Sequence, residues 1–257
     1  MLKNDYMTFP FLDDKQLNHR KKLFCFSFAG GSATKYYSWL EEIHNVAVIP
    51  IELPGKHARM NEPLESSLNH LIETLAREIA NITSPSDEIN LYGHSFGALL
   101  AFYVTHLLES KHKKSVKNLI VAGRHSVTFE KERHYYSTQG DTALKRELLR
   151  QRATPEEILE SEAFQDLFLP MIKNDYKLDE QHKYHGEIIK ADIIAHAGDE
   201  DVDATQKDML KWKEVTKGKF SFDLFHGTHF FPFDLSASYC RCLDKIFIRR
   251  KGELNEF

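Results

Sequence analysis

Short apolar runs alternate along this chain with segments whose apolar residues recur at helical spacing. The runs are rich in β-branched and aromatic residues and predict buried strands at residues 23–28, 46–51, 89–92, 119–122, 193–197 and 220–225. One intervening segment places apolar residues on a single helical face behind a capping serine, Ser66 or Ser67, with the face formed by Leu68, Leu71, Ile72, Leu75 and Ile79. Residues 99–108 and 239–248 predict two further helices. This alternation is typical of a three-layer α/β domain with a mainly parallel sheet.

The alternation stops between about residues 125 and 186. This stretch has no strand pattern, but it has helical pieces at 142–152, 155–159 and 164–173. A structureless segment of about 60 residues is improbable inside a compact domain, so we predict an inserted helical subdomain. Its position before the strand at 193–197 is suited to a lid over an active site. A helical excursion that packs without gating is the alternative.

Length and charge limit the function classes. A chain of 257 residues can form one large core, so we predict a single domain over 1–257. The 34 Lys and Arg residues against 38 Asp and Glu give a net charge of -4, which does not provide the basic field that nucleic acid binding requires. The first twenty residues and the polar tail from Gly252 carry little pattern, and we expect both to be surface extensions.

Cysteine usage and hydropathy bear on the compartment. Cys25, Cys240 and Cys242 form neither an even disulfide framework nor a metal-spaced set. The N-terminus has no signal-peptide pattern, and no run of about 18 apolar residues occurs. We therefore expect a cytoplasmic protein without a membrane partner or a bound metal, and we expect it to be a monomer.

The most informative motif is a Gly-x-Ser-x-Gly sequence between a predicted strand and a predicted helix. Gly93 and Gly97 flank Ser95 at two residues on either side. A nucleophile elbow has this pattern, because its turn is so sharp that side chains at the two glycine positions would collide with neighbouring backbone. The serine then lies at a helix N-terminus, where free N–H groups favour developing negative charge. An ordinary turn with a capping serine is the alternative, and the strand and helix on either side favour a catalytic serine.

A serine nucleophile needs a general base, and in this architecture the partners follow in the order serine, acid, histidine. His229 follows the last predicted strand in a glycine-containing loop and is the predicted base, with His226 as its nearest rival. The acid should follow the strand at 193–197, where three aspartates compete: Asp199, Asp201 and Asp203. The pattern alone does not separate the first two.

The oxyanion formed during acyl transfer needs backbone donors. One should come from the residue after the nucleophile, Phe96, and the other from the loop after the first strand, where paired glycines follow Ala29. We therefore predict the N–H groups of Ala29 and Phe96 as the oxyanion hole. A plain glycine turn is the alternative for the loop.

Together, the separated motifs resemble the type II thioesterases that accompany nonribosomal peptide and polyketide synthases, a family with the α/β-hydrolase fold. The similar segments span roughly residues 22–248 and are Phe28-Ala29-Gly30-Gly31-Ser32-Ala33, Leu53-Pro54-Gly55 with Arg59, Glu62 and Pro63, Tyr92 to Ala98, the lid segment 169–176, and Gly227 to Phe231. In that family the acid is the second aspartate of a Gly-Asp-x-Asp loop, which implies Asp201. Ser27 and Thr228 depart from the usual proline and glycine, and neither removes a catalytic group.

The resemblance implies hydrolysis of mischarged or stalled acyl groups from the phosphopantetheine thiol of carrier proteins. The substrate would carry the phosphopantetheine, so we expect no cofactor of the enzyme itself, and the partners would be carrier domains of a synthase. Three alternatives remain open, because fold does not set substrate. They are a carboxylesterase or lipase acting on small molecules, an acyltransferase with a non-water acceptor, and a non-catalytic scaffold that binds carrier proteins.

Overall fold

A parallel sheet forms the centre of the protein. The computed structural model describes residues 7–129, 134–152 and 154–248. Within these residues the sheet has the order β2-β1-β3-β4-β5-β6, and every neighbouring pair is parallel. The strands are β1 (Lys21–Phe26), β2 (Ala47–Pro50), β3 (Glu88–His94), β4 (Val116–Ala122), β5 (Asp192–Gly198) and β6 (Phe220–Phe225).

Helices connect the strands. The α-helices of the described residues are α1 (Asp14–Asn18), α2 (Trp39–Glu42), α3 (Leu68–Ile82), α4 (Phe96–Ser110), α5 (Asp141–Arg150), α6 (Glu156–Leu159), α7 (Glu162–Leu167), α8 (Leu169–Asp179), α9 (Gln206–Leu210), α10 (Phe231–Asp234) and α11 (Ala237–Ile246). Short 3₁₀ turns lie at Ala33–Tyr36, His57–Arg59, Ser137–Gln139 and Lys211–Val215.

Both faces of the sheet are covered. Along β1, Phe24 and Phe26 join the core that includes α3 and α4, whereas Leu23 and Cys25 join a second core with α2 and α11. Successive side chains of a strand point to opposite faces, so each strand contributes to both cores. The result is the three-layer α/β-hydrolase fold predicted from the sequence, and that prediction is confirmed.

The helix predicted from the spacing of Leu68 to Ile79 is present as α3. Ser67 is its cap and accepts a hydrogen bond from the His70 N–H at 3.3 Å. The predicted strand and helix positions were otherwise close, but the single helical piece at 164–173 is two helices, α7 and α8. Pro170 explains the break, since proline lacks an N–H and is tolerated only in the first turn of a helix.

The prediction that the first twenty residues are surface extensions was wrong for Thr8 and Phe9. Phe9 is buried and its ring lies 6.0 Å from that of Phe24, and Thr8 accepts a hydrogen bond from Glu52 N at 2.9 Å. The error arose because a single buried aromatic residue produces no periodic pattern. Residues 1–6 and the tail from Gly252 lie outside the described residues.

Phe9 provides a test of this correction. Replacing Phe9 with alanine should lower the free energy of unfolding by about 3 kcal/mol, because a buried aromatic side chain is lost and a cavity remains. Chemical denaturation measures the change. Phe11→Ala is the matched control. Phe11 is only partly buried, so its replacement should lower the free energy of unfolding by clearly less. A destabilisation by Phe9→Ala that is no larger than about 1 kcal/mol, the size expected of a partly buried side chain, would show that Phe9 is not part of the core.

No helix of the described residues is both long enough and apolar enough to cross a membrane.

Candidate active site

Ser95 joins the end of β3 to the start of α4 in a strained conformation. Its φ of 53° and ψ of -118° are unusual for a residue with a side chain. Its N–H donates to the carbonyl oxygen of Ala122 at 2.9 Å, which anchors the turn to the end of β4. The sharp turn therefore lies at the carboxyl end of the two central strands, where open α/β sheets place their ligands.

The flanking glycines are required by backbone contacts. A Cβ on Gly93 would collide with the carbonyl of Gly97, and a Cβ on Gly97 would collide with the backbone carbonyls of Phe26 and Ser27. Strand β1 and helix α4 can approach each other this closely only because residue 97 has no side chain. The glycine spacing of the motif thus follows from packing around the serine.

Gly97→Ala should lower the free energy of unfolding by about 3 kcal/mol, because the clash is with backbone that cannot move aside. Gly140→Ala is a useful control. Gly140 has a positive φ, +82°, and a Cβ there would enter open space. Gly140→Ala should lower the free energy of unfolding by about 1 kcal/mol, because backbone strain is its only cost. Denaturation curves in which Gly97→Ala is no less stable than Gly140→Ala would contradict this packing.

His229 and Asp201 form a buried hydrogen-bonded pair. His229 Nδ1 lies 2.9 Å from Asp201 Oδ2, and the other carboxylate oxygen accepts from the N–H groups of Asp203 at 2.8 Å and Ala204 at 3.1 Å. Burial alone would raise the pKa of Asp201, but the hydrogen bond and charge of His229, together with the two N–H groups, outweigh burial and lower the pKa to about 2. The carboxylate is therefore ionised at neutral pH and can hold an imidazolium.

The rival residues are engaged elsewhere. Asp199 is exposed and accepts from His226 Nδ1 at 3.2 Å and from Gly227 N at 2.9 Å. This second His–Asp pair lies on the surface of the same two loops. Asp203 accepts from Arg150 at 2.6 Å. Of the residues left open by the sequence pattern, Asp201 and His229 are the two that the fold brings together in a buried position.

One cavity brings the serine and the histidine to a common space. It has a volume of about 1160 Å³, and its lining includes Ser95 and His229 together with side chains from the helices α5 to α8. In the part of the chain that the structure describes, no hydrogen bond joins the Ser95 hydroxyl to the imidazole. Hydrogen bonds between a catalytic serine and its histidine are often long without substrate and shorten when substrate binds.

The helical insertion predicted as a lid forms a wall of this cavity, because side chains of α5 to α8 line it.

The two predicted oxyanion donors also face this cavity. Ala29 and Phe96 both line it. Phe96 is the first residue of α4, so its N–H has no partner within the helix. Among the hydrogen bonds of the described residues, none uses the N–H of Ala29. Both N–H groups are thus available to donate a hydrogen bond to a ligand oxygen.

Sequence reasoning missed the role of His94 as a neighbour of the predicted base. Its ring is fully buried 5.0 Å from that of His229, and neither of its nitrogens has a hydrogen-bond partner. Burial, and then the nearby His229, lowers the pKa of His94 well below its usual value. A neutral His94 therefore adds no positive charge beside an imidazolium at His229. The sequence alone does not distinguish a histidine that packs against the catalytic base from one that only fills the core.

Asp199, Glu200 and His226 place three potential metal-ligand atoms within 4.8 Å of one another. All three residues are exposed, and exposed acidic groups commonly lie together without an ion. Acyl transfer by a serine, a histidine and a carboxylate makes no use of them.

A family model described as the thioesterase domain matches residues 21–247. The thioesterase PikA5 of Streptomyces venezuelae is 29% identical over 240 residues, which cover 91% of this chain and 84% of that protein. The gramicidin S biosynthesis protein GrsT of Aneurinibacillus migulanus is 29% identical over 215 residues, covering 83% of each chain.

Solved structures show the same likeness. The type II thioesterase BorB from the borrelidin biosynthetic cluster has a TM-score of 0.79 at 27% identity, covering 89% of this chain and 93% of that one. The RedJ thioesterase from the prodiginine pathway of Streptomyces coelicolor has a TM-score of 0.80 at 27% identity, covering 90% and 85%.

Proposed function

The chain belongs to the thioesterase family, and from that premise we propose that it hydrolyses acyl groups from the phosphopantetheine thiol of carrier proteins in nonribosomal peptide or polyketide biosynthesis. The relatives named above come from such pathways or carry the thioesterase name. In this role the enzyme clears mischarged or stalled chains from a synthase.

One observation carries the proposal. A strained serine at a strand–helix junction opens into the same cavity as a buried imidazole that is hydrogen-bonded to a carboxylate. Backbone strain at a residue with a side chain costs of order 1–3 kcal/mol, and residues that the surrounding structure holds in such strain cluster at active sites. We therefore assign Ser95 as nucleophile, His229 as general base and Asp201 as the group that orients the base.

The first half of the reaction forms an acyl-enzyme. Ser95 Oγ attacks the thioester carbonyl carbon while His229 Nε2 takes the hydroxyl proton, and Asp201 holds the resulting imidazolium through Nδ1. The N–H groups of Ala29 and Phe96 donate hydrogen bonds to the oxyanion. The carbon–sulfur bond then breaks, and the departing sulfur receives the proton from His229. A thiol has a pKa near 8.5, so it leaves with little help from an acid.

The second half releases the acid. A water molecule gives a proton to His229 and attacks the acyl carbonyl, and the same two N–H groups hold the new oxyanion. The bond from the carbonyl carbon to Ser95 Oγ breaks, and the serine recovers its proton from the imidazolium. The enzyme is then unchanged and the acyl group has become a carboxylic acid.

The cavity supports a large substrate. Its volume of about 1160 Å³ exceeds the about 300–1,000 Å³ typical of sites for small molecules. Its lid side carries apolar residues, among them Ile158, Phe164 and Phe168. A long thiol arm and its acyl group need such a space, and a simple ester does not.

A direct comparison of substrates tests the proposal against a small-molecule esterase. Acyl-loaded carrier protein and an aryl ester of the same acyl group are offered separately, and kcat/KM is measured for each, with mass spectrometry following the carrier load. We expect a clear preference for the carrier substrate and no loss of load with Ser95→Ala. A preference for the aryl ester would overturn the proposal, and binding of carrier without turnover by the wild type would favour a scaffold.

We also propose that the protein acts in the cytoplasm. Cys25, Cys240 and Cys242 are all free thiols in the described residues, and two of them are buried. Unpaired cysteines are typical of a reducing compartment. Carrier domains of a synthase are the proposed partners.

A further inference from the structure

The turn that carries Ala29 is held by few contacts of its own. Gly31 N donates to the carbonyl oxygen of Phe28 at 2.9 Å, which closes a four-residue turn, and Gly30 has a φ of +78°. One internal hydrogen bond fixes the shape of the turn but not its position over the cavity. The position of the Ala29 N–H must therefore depend on contacts from other elements.

Helix α8 supplies the first of these contacts. The carboxylate of Asp175 accepts a hydrogen bond from Gly30 N at 2.7 Å, and Asp175 is only 2% exposed. One turn earlier on the helix, the side chain of Ile172 occupies the space where a Cβ of Gly30 would lie. Helix α8 belongs to the insertion, so the insertion touches the turn at two adjacent points.

Lys56, in the loop after β2, completes the arrangement. Its ammonium forms a buried ion pair with Asp175 and donates a hydrogen bond to the carbonyl oxygen of Gly31 at 3.1 Å. A closed ring of contacts results, from Gly30 N–H to the carboxylate, to the ammonium and back to the Gly31 carbonyl. Three segments far apart in sequence are thereby tied at one point.

The charges of this ring depend on one another. Burial raises the pKa of the Asp175 carboxyl, while the charge of Lys56 and the Gly30 N–H favour its ionised form. Removing one partner of a buried ion pair leaves the other charge buried and uncompensated. The resulting destabilisation is larger than the net stabilisation that the intact pair provides. Neither side chain lines the cavity, so neither is expected to touch substrate.

We propose that Lys56 and Asp175 are a positioning pair that fixes the turn at residues 28–31, so that the oxyanion donor Ala29 is aligned only while α8 is packed against the turn. The proposal rests on the proposed function in one respect, the assignment of the Ala29 N–H to the oxyanion. Oxyanion donors act through geometry, and loss of one costs about 10²–10³-fold in kcat. A displaced turn should therefore lower kcat with little effect on substrate binding.

Backbone hydrogen exchange tests the structural half without reference to any substrate. In Asp175→Ala and Lys56→Met, the amides of residues 28–31 should exchange at least about tenfold faster than in the wild type, because the local opening equilibrium is shifted. Lys22→Met is the matched control. Lys22 is equally buried and pairs with Asp87 at 3.0 Å, but it lies at the start of β1, at the opposite end of the sheet. We expect no change at residues 28–31 in that variant, and unchanged exchange in the first two would overturn the proposal.

Steady-state kinetics tests the functional half at a temperature where all variants remain folded. Asp175→Ala and Lys56→Met should lower kcat by about 10²-fold and change KM by less than about threefold, while Lys22→Met leaves kcat unchanged. If Asp175→Ala does not fold, Asp175→Asn replaces it, since an amide oxygen still accepts from Gly30 and a smaller loss is expected.

The exchange and kinetic experiments together distinguish a failure of the positioning role from a failure of the proposed function. Faster exchange with an unchanged kcat would overturn the positioning role, even if the enzyme is a thioesterase. A wild-type enzyme that does not release the acyl load from the carrier protein would instead refute the proposed function, while the exchange result would still show whether the pair holds the turn.

Discussion

Replacing Ser95 with alanine should lower kcat for hydrolysis of acyl-carrier thioester by about 10⁴-fold or more. The hydroxyl is the atom that becomes acylated, and no other group in the elbow can form that bond. The remaining rate would come from the oxyanion donors and from binding alone. Because Ser95 is only partly buried, the smaller side chain leaves no cavity in the core, and the fold should remain intact.

Mass spectrometry of the carrier protein, before and after incubation, measures this loss directly. Ser110→Ala is the control, since Ser110 ends the same helix and its exposed hydroxyl donates to the carbonyl oxygen of His106 at 2.6 Å. Its rate should match the wild type within about twofold. Equal activity in Ser95→Ala and the wild type would exclude Ser95 as nucleophile.

Asp201→Asn should lower kcat by about 10⁴-fold with little change in structure. Asparagine keeps the shape of the side chain but can present an N–H to His229 Nδ1, which must then act as an acceptor. The ring proton moves to Nε2, and that nitrogen can no longer take a proton from the serine. The expected fall in kcat therefore has two causes: His229 is held in the wrong tautomer, and the negative charge that stabilises its imidazolium is gone.

The neighbouring aspartate offers a control for this prediction. Asp199→Asn alters the exposed pair with His226 and should change kcat by less than about twofold. Thermal denaturation of both variants checks that each is folded. A larger loss in Asp199→Asn than in Asp201→Asn would reverse the assignment of the acid.

The elbow could be predicted from sequence because its requirements are local. Two glycines, a serine and the flanking strand and helix lie within about twenty residues, and the turn geometry needs those residue types at those positions. The order of the strands along the chain then led to His229. The choice of Asp201 came from a family resemblance, because Asp199 fits the strand-end pattern equally well and only the folded loop separates their partners.

Contacts between distant segments could not be predicted in this way. Lys56 and Asp175 are separated by 119 positions, and neither lies in a pattern that indicates a buried ion pair. Phe9 likewise joins the core through contacts that no periodicity reveals. Such contacts depend on how the helices and the sheet pack against one another, and the spacing of residues along the chain carries no information about that packing.

The most direct test of the central claim is the kcat of the double variant Ser95→Ala/His229→Ala, compared with the two single variants on acyl-loaded carrier protein. Residues that act as one unit lose their joint effect when either is removed. The double variant should therefore be no slower than Ser95→Ala alone, within about threefold. A double variant in which the two single losses multiply would show that the serine and the histidine act independently, and it would contradict the account.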